Sequence, residues 1–354
     1  MVIIIAILAF GVLIAVHELG HFFAAKAFGV KVEEFALGMG PAILKKQGKE
    51  TLYSFRLLPF GGFCAMEGED EEVDSPRAFS SQKAWKRAII LCAGAFMNFV
   101  MGFILVLCIA PITANFVEPV IESFMEGCPY VGEEALMEGD RIYSVDGHRT
   151  FFTGHVSEYL NRSGEETHDI VLIREGRRVK LDNFHMVPVE YTQPDGSTEL
   201  FYGLSFAPRD FGLWANIKYA WYGSLDFCRV VWDSLGMLVS GQVGIRDMSG
   251  PVGIVDFVND MAQEAESTRD IAFDICYIFA LIAVNLAVMN LLPIPALDGG
   301  RVFFLIVTWI IEKISRRKLN PKYEGYIHTA SFVLLMGLMV FILFSDVLKA
   351  FFGI

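Results

Sequence analysis

Residues 13–26 read LIAVHELGHFFAAK, an apolar run interrupted by two histidines and a glutamate and closed by a lysine. Each ionisable side chain in hydrocarbon costs about 3 kcal/mol or more unless it is paired, metal-bound or wetted. On an α-helix, positions four apart share a face, so His17 and His21 can address one metal ion while Glu18, beside the first of them, reaches a water next to it. Zinc held by two imidazoles and one carboxylate keeps a position open, brings the pKa of water down to about 7, and leaves a neighbouring carboxylate to collect the proton. That combination hydrolyses amides. A five-residue pattern recurs by chance, but three ionisable groups within five positions of an apolar helix point to a function.

The remainder of the chain has the composition of an integral membrane protein: of 354 residues, 54% are hydrophobic, 20% are charged and 31 are Phe. The formal charge of -12 belongs to the extramembrane parts. It supplies no basic stripe, which excludes nucleic-acid binding. Cys64, Cys92, Cys108, Cys128, Cys228 and Cys276 stand without CxxC spacing, which argues against a disulfide framework or a thiolate zinc site.

Four stretches approach the roughly 20 residues that a helix needs to cross hydrocarbon. They run from Val2 to about Ala25, from Ala88 to Ala114, from Ile275 to about Leu297, and from Thr329 to Ser345. The first has no positive residue before it and no small-residue cleavage site after it, so it reads as a span rather than a secretory signal. Lys and Arg number 10 in residues 26–87 and 6 in residues 293–328, against 12 spread over residues 115–270. The density is about twofold higher in the first and third connections, which assigns them to the cytosol and puts both termini and the long middle segment outside.

The middle segment contains GCPYVGEEALMEGDRIYSVDGHRT (residues 127–150) and HDIVLIREGRRVKLDNF (residues 168–184). Short alternating strands punctuated by Gly, Asp-Gly and Glu-Gly turns around one helical patch predict a small α+β domain over about residues 117–208. Its GDRIYSVDGHRT resembles the signature of PDZ-like modules. GLSF (Gly203 to Phe206) looks like a peptide-carboxylate loop, with a plain closing strand as the favoured reading. Residues 211–246 combine Trp214, Trp221, Tyr222 and Trp232 with sparse charge. These residue types settle at headgroup level, so helices lying on the outer leaflet are expected rather than a pair packed on the domain.

A third metal ligand is needed, and Glu33, Glu34, Asp298 and His328 are available. Glu33 and Glu34 are close in sequence and would suit a zinc site of the soluble type, and their charged position after the helix is equally that of a solvated loop. Asp298 lies in MNLLPIPALDGGRV, residues 289–302. Counted from the outer side, His17 and Asn290 each lie about 22 Å along their helices at 1.5 Å per residue. Pro293 and Pro295 then break the second helix, so Asp298 can meet the histidines near the same depth. The competing role for Asp298 is a helix N-cap before GGRVFFLIVTWII, and one residue can serve both.

His17-Glu18-Leu19-Gly20-His21 together with Asn290-Leu291-Leu292-Pro293-Ile294-Pro295-Ala296-Leu297-Asp298-Gly299 resembles the paired HExxH and NxxPxxxLDG motifs of the site-2 protease family of intramembrane zinc metalloproteases, in particular its bacterial RseP-like members. FALGMGPAILKK and LYSFRLLPFGGFCAMEGE resemble the family's glycine-bearing hairpin that dips back into the membrane, with Gly38, Gly40, Pro41, Pro59, Gly61 and Gly62 at matching places. An open strand edge there can add an unfolded substrate as a further strand. SGPVGIVDF, residues 249–257, is a further family feature. The chain has room for one PDZ-like domain where better-studied relatives carry two, and Ala95 replaces the family's usual proline in CAGAFMNF.

The resemblance implies a polytopic α-helical membrane protein of a bacterial plasma membrane, with four transmembrane helices, both termini outside, a membrane-re-entrant β-hairpin and an extracytoplasmic α+β PDZ-like domain. The expected order is a first helix with HExxH (1–30), the hairpin region (31–66), a cytosolic acidic loop (67–87), a second helix (88–114), the PDZ-like domain (115–210), interfacial helices with the GPVGI loop (211–270), a third helix with NxxPxxxLDG (271–300), a cytosolic helix and loop (301–328) and a fourth helix (329–350). The implied activity is zinc-dependent cleavage of the transmembrane segments of single-span proteins, such as anti-sigma factors already trimmed outside or signal-peptide remnants. His17, His21 and Asp298 are then the zinc ligands and Glu18 the general base, with Asn290, Gly61 and Gly62 on the substrate. A metal transporter or channel and an inactive membrane-anchored PDZ adaptor are the alternatives.

Overall fold

The computed structural model describes residues 2–69, 73–112, 117–162, 164–192, 197–208, 211–244, 253, 267–315 and 321–352. In order, the chain forms α1 (Val2–Ala27), β1 (Val32–Gln47), β2 (Leu52–Met66), α2 (Ala84–Ile109), β3 (Ile121–Phe124), β4 (Arg141–Val145), β5 (His148–Arg149), α3 (Thr153–Arg162), β6 (Thr167–Arg174), β7 (Arg177–His185), β8 (Val189–Thr192), β9 (Thr198–Phe201), β10 (Leu204–Phe206), α4 (Leu213–Val239), α5 (Thr268–Asn290), α6 (Asp298–Ser315) and α7 (Pro321–Phe352). It divides into two units, residues 1–106 with 227–354, and residues 107–226.

In the first unit the apolar residues of α1, α2 and α5 are not confined to one face, as suits a membrane environment. Among the described residues three helices are long and apolar enough to cross a bilayer: Leu8–Ala27, Ala84–Ile109 and Arg269–Asn290. In α7 the apolar stretch Thr329–Ile342 is shorter. Leu13 on α1 packs with Ile278, Phe279, Ile282 and Ala283 of α5, and Met101 and Leu105 of α2 join them. α1 and α2 run antiparallel at close range, because Gly20 presents no side chain where a Cβ would stand 2.3 Å from the Ala93 carbonyl oxygen. The third apolar helix ends earlier than its hydropathy implies. α5 stops at Asn290 and the chain turns from Leu291, since Pro293 has no N–H to donate and disfavours helical backbone in the residue before it.

The β1–β2 hairpin folds back on itself. Phe35 is partnered by both Cys64 and Tyr53, and Ala36 by both Phe63 and Ser54, while Leu44 to Gln47 pair with Phe55 to Leu52. The run 34–37 therefore lies between 52–55 and 62–65. Among the described residues no further strand pairs with 62–66. The hairpin's Met39, Ile43, Leu44, Phe55, Leu57 and Leu58 are exposed. Its other turn is held by charge, Glu50 meeting both Lys26 and Arg77.

The second unit holds a four-stranded sheet of order β5-β4-β6-β7. Val156, Tyr159 and Leu160 of α3 close its core with Ile142, Ile170 and Leu172. Leu204–Phe206 of GLSF forms β10, paired with β3. Asp140 is 1% exposed. Its two carboxylate oxygens accept from Arg174 Nε at 2.8 Å and Nη2 at 2.7 Å, which raises the Arg174 guanidinium above its ordinary pKa. Arg174 also donates to the carbonyls of Glu133 and Ala135, so one ion pair ties β6 to the loop before β4. Asp140→Ala leaves that cation without its counter-ion and is expected to destabilise this unit by about 3 kcal/mol. Faster proteolysis within residues 117–208 of the full-length protein checks it.

Residues 213–239 form one helix rather than several. Trp214, Trp221 and Trp232 are exposed by 80%, 49% and 57%, and their spacings of seven and eleven place them on a single stripe. Tyr222 leaves that stripe and stacks on Phe151 with ring centres 5.3 Å apart. The SGPVGIVDF segment lies outside the described residues apart from Gly253.

Candidate active site

The i, i+4 spacing of His17 and His21 on α1 sets both rings on one face, and the turn after α5 brings a carboxylate to them. Asp298 Oδ2 lies 3.0 Å from His17 Nε2 and 3.3 Å from His21 Nε2, and the two Nε2 atoms are 3.2 Å apart. Donors about 2.0–2.1 Å from a tetrahedral zinc ion stand about 3.3 Å from one another. Asp298 Oδ2 is buried and meets no donor in hydrogen-bond geometry. Two imidazole nitrogens and an orphaned carboxylate oxygen converging at these distances suit one divalent cation. The turn that delivers Asp298 carries strain, since Ala296 has φ 79, a left-handed conformation that costs a residue with a Cβ about 1–2 kcal/mol.

Of the other acidic candidates, Glu34 is taken by Arg56 at 2.7 Å and Ser54 at 2.6 Å, and Glu33 is ion-paired with Lys31. The His328 side chain lies outside the described residues. A cavity of about 460 Å³ opens at the three donors, lined among others by Glu18, Gly62, Cys64, Met66 and Ala296. A Cβ on Gly62 would stand 3.1 Å from Glu18 Cγ, so the unpaired edge 62–66 passes directly beside the glutamate. Gly61 and Asn290 are not among the residues lining this cavity. Gly61 has φ 77 and abuts the Met39 side chain, and Asn290 closes α5. Glu69 and Arg301, which also line the cavity, form an ion pair joining the end of the hairpin to the first turns of α6.

Two features of the site carry no recognisable signature in the sequence. The Ile90 carbonyl accepts the Nδ1–H of His21 at 2.8 Å, which leaves the Nε2 lone pair facing the other donors. One turn further along α2, a Cβ on Gly94 would stand 2.4 Å from His21 Nε2 and 2.8 Å from His17 Nε2. The space that a side chain would fill here is the space the two Nε2 atoms occupy. Gly94→Ala is expected to weaken zinc retention by about 10–100-fold, the loss typical of a displaced support for a ligand. Alanine at the same time favours the helix by about 1 kcal/mol. Chelator competition read beside the thermal unfolding of the metal-free protein separates the two effects.

A histidine pair on an apolar helix, met by an aspartate that opens a further helix after a proline turn, is a donor set suited to a metallopeptidase built into a membrane protein. The chain belongs to peptidase family M50, the site-2 protease family, whose model matches residues 5–338. It is 36% identical over 351 residues to a protein of Clostridium acetobutylicum named as a zinc metalloprotease, covering 98% of this chain and 97% of that one. It is 27% identical over 426 residues to the zinc metalloprotease RasP of Shouchella clausii, covering 97% of each. It is 26% identical over 429 residues to the regulator of sigma-W protease RasP of Bacillus subtilis, covering 98% of each. The chain is accordingly a zinc-dependent metalloprotease and a membrane protein.

Proposed function

We propose that this metalloprotease cleaves the transmembrane segments of single-span proteins within the bilayer of a bacterial plasma membrane. Anti-sigma factors already trimmed outside are the favoured substrate class, in keeping with a relative named as a regulator of sigma-W protease. Signal-peptide remnants share the required form. The observation that carries the reading is the position of the donor set, whose two histidines sit on a helix apolar enough to span a membrane.

In this mechanism His17, His21 and Asp298 hold the zinc ion. Bound zinc supplies Lewis acidity to polarise the scissile carbonyl and acidify a water. Glu18 takes the proton of the attacking water and passes it to the leaving amine nitrogen. A helical substrate hides its carbonyls in its own hydrogen bonds, so it must unwind before it is cut. The unpaired edge of 62–66, beginning at Gly62, is suited to hold the extended form by strand addition beside Glu18. Gly61 keeps the turn into that edge narrow, and Asn290 orients the substrate backbone from the end of α5.

α7 supplies a fourth span, which leaves both termini outside. The second unit is then an extracytoplasmic PDZ-like domain that admits short stubs and excludes bulky ectodomains, and the Trp214, Trp221 and Trp232 stripe rests α4 on the outer leaflet. Purified protein in liposomes with a single-span reporter tests the reading. Mass spectrometry is expected to place the cut inside the reporter's apolar segment. A cut confined to the reporter's soluble flanks, or zinc uptake without cleavage, overturns it.

A further inference from the structure

Ile90, Gly94 and Asn98 are spaced by four and form one stripe of α2, behind the histidine pair. The first supplies a carbonyl to His21 and the second supplies space. Asn98 is 1% exposed, its Nδ2 lies 3.3 Å from His17 Nδ1, and its Oδ1 is buried without a hydrogen-bond partner. The oxygen and nitrogen of a side-chain amide exchange by a half-turn about the terminal bond, and their assignment follows from the hydrogen-bond network. With the nitrogen toward His17, the Nδ1 lone pair is engaged and the ring's proton sits on Nε2, the atom 3.0 Å from Asp298 Oδ2. A proton there excludes His17 from metal binding, because the ligand must be a free lone pair. With the oxygen toward His17, the orphaned acceptor gains a donor, Nδ1 keeps its hydrogen and the Nε2 lone pair points at the other two donors.

We propose that Asn98 is the positioning residue of the metal centre, its Oδ1 accepting the Nδ1–H of His17 and so fixing the ring's tautomer and aim, as the Ile90 carbonyl does for His21. The proposal rests on the reading of His17 as a zinc ligand. It assigns the two histidines matching supports from one helix, one from the main chain and one from a side chain. An imidazole whose second nitrogen is held by an acceptor is a better-oriented and more basic ligand, and losing such a support costs about 10–100-fold in metal affinity.

The test uses the full-length protein in detergent and measures zinc retention by competition with a chelating dye. Asn98→Leu keeps the approximate shape and removes the acceptor. Asn98→Asp offers an acceptor in either orientation and no donor. The expected result is a 10–100-fold loss of zinc affinity in Asn98→Leu and parental or tighter retention in Asn98→Asp. Parental retention in Asn98→Leu overturns the proposal. So does a loss in Asn98→Asp as large as that in Asn98→Leu, because it makes the amide nitrogen the working atom. If Asn98→Leu fails to fold, Asn98→Asp decides alone, retention upholding the proposal and loss overturning it. His17→Ala is measured in parallel: undiminished zinc binding in that variant refutes the ligand reading itself, separately from the role of Asn98.

Discussion

Glu18→Gln is expected to bind zinc as the parent does and to cleave a single-span reporter about 10³-fold more slowly. Glutamine keeps the size and shape of the side chain beside Gly62, and the donors His17, His21 and Asp298 are untouched, so the metal site stays intact. What is lost is the carboxylate that the proposed mechanism uses to accept the proton of the attacking water. A positioned general base contributes about 10²–10⁴-fold. Zinc content and reporter cleavage measured on the same preparation make the comparison. Cleavage at the parental rate with zinc bound removes Glu18 from the mechanism.

The second large effect is on the metal itself. Asp298→Ala deletes one of three converging donors and leaves two imidazoles, fewer than the three protein ligands that catalytic zinc sites provide. Loss of an outer support costs about 10–100-fold in affinity, so loss of a ligand is expected to exceed 10²-fold and to abolish cleavage with it. The helix itself should survive, because an acidic group in a first turn is worth only about 0.3–1 kcal/mol to the fold. Full zinc occupancy in this variant moves the third ligand elsewhere. Glu33 and Glu34 are poor substitutes, since Lys31 and Arg56 already hold them.

The sequence was most legible where chemistry and periodicity coincide. His17 and His21 stand out because imidazoles four apart in an apolar run fit no packing role, and Asp298 because two prolines must break the helix that leads to it. The α+β character of the middle segment followed from alternation and turn residues. The aromatic run after it was legible as helix, but its continuity from Leu213 to Val239 was not. Tyr222 has the composition of a headgroup residue and a stacking partner instead.

By itself, the sequence determined the residue types of the candidate metal site, the apolar helices near it and the order in which they come, because these depend on side-chain chemistry and spacing along one chain. Only the tertiary structure decided which acidic candidate meets the histidines, that the hairpin lays its unpaired edge beside Glu18, and that α2 backs both rings. The physical reason lies in the supporting groups: the carbonyl of Ile90 is common to every residue, the contribution of Gly94 is the absence of a side chain, and a buried Asn98 is indistinguishable in one dimension from an ordinary helix-packing amide. Their roles exist only where two helices some seventy positions apart in the chain are brought within a hydrogen bond of each other.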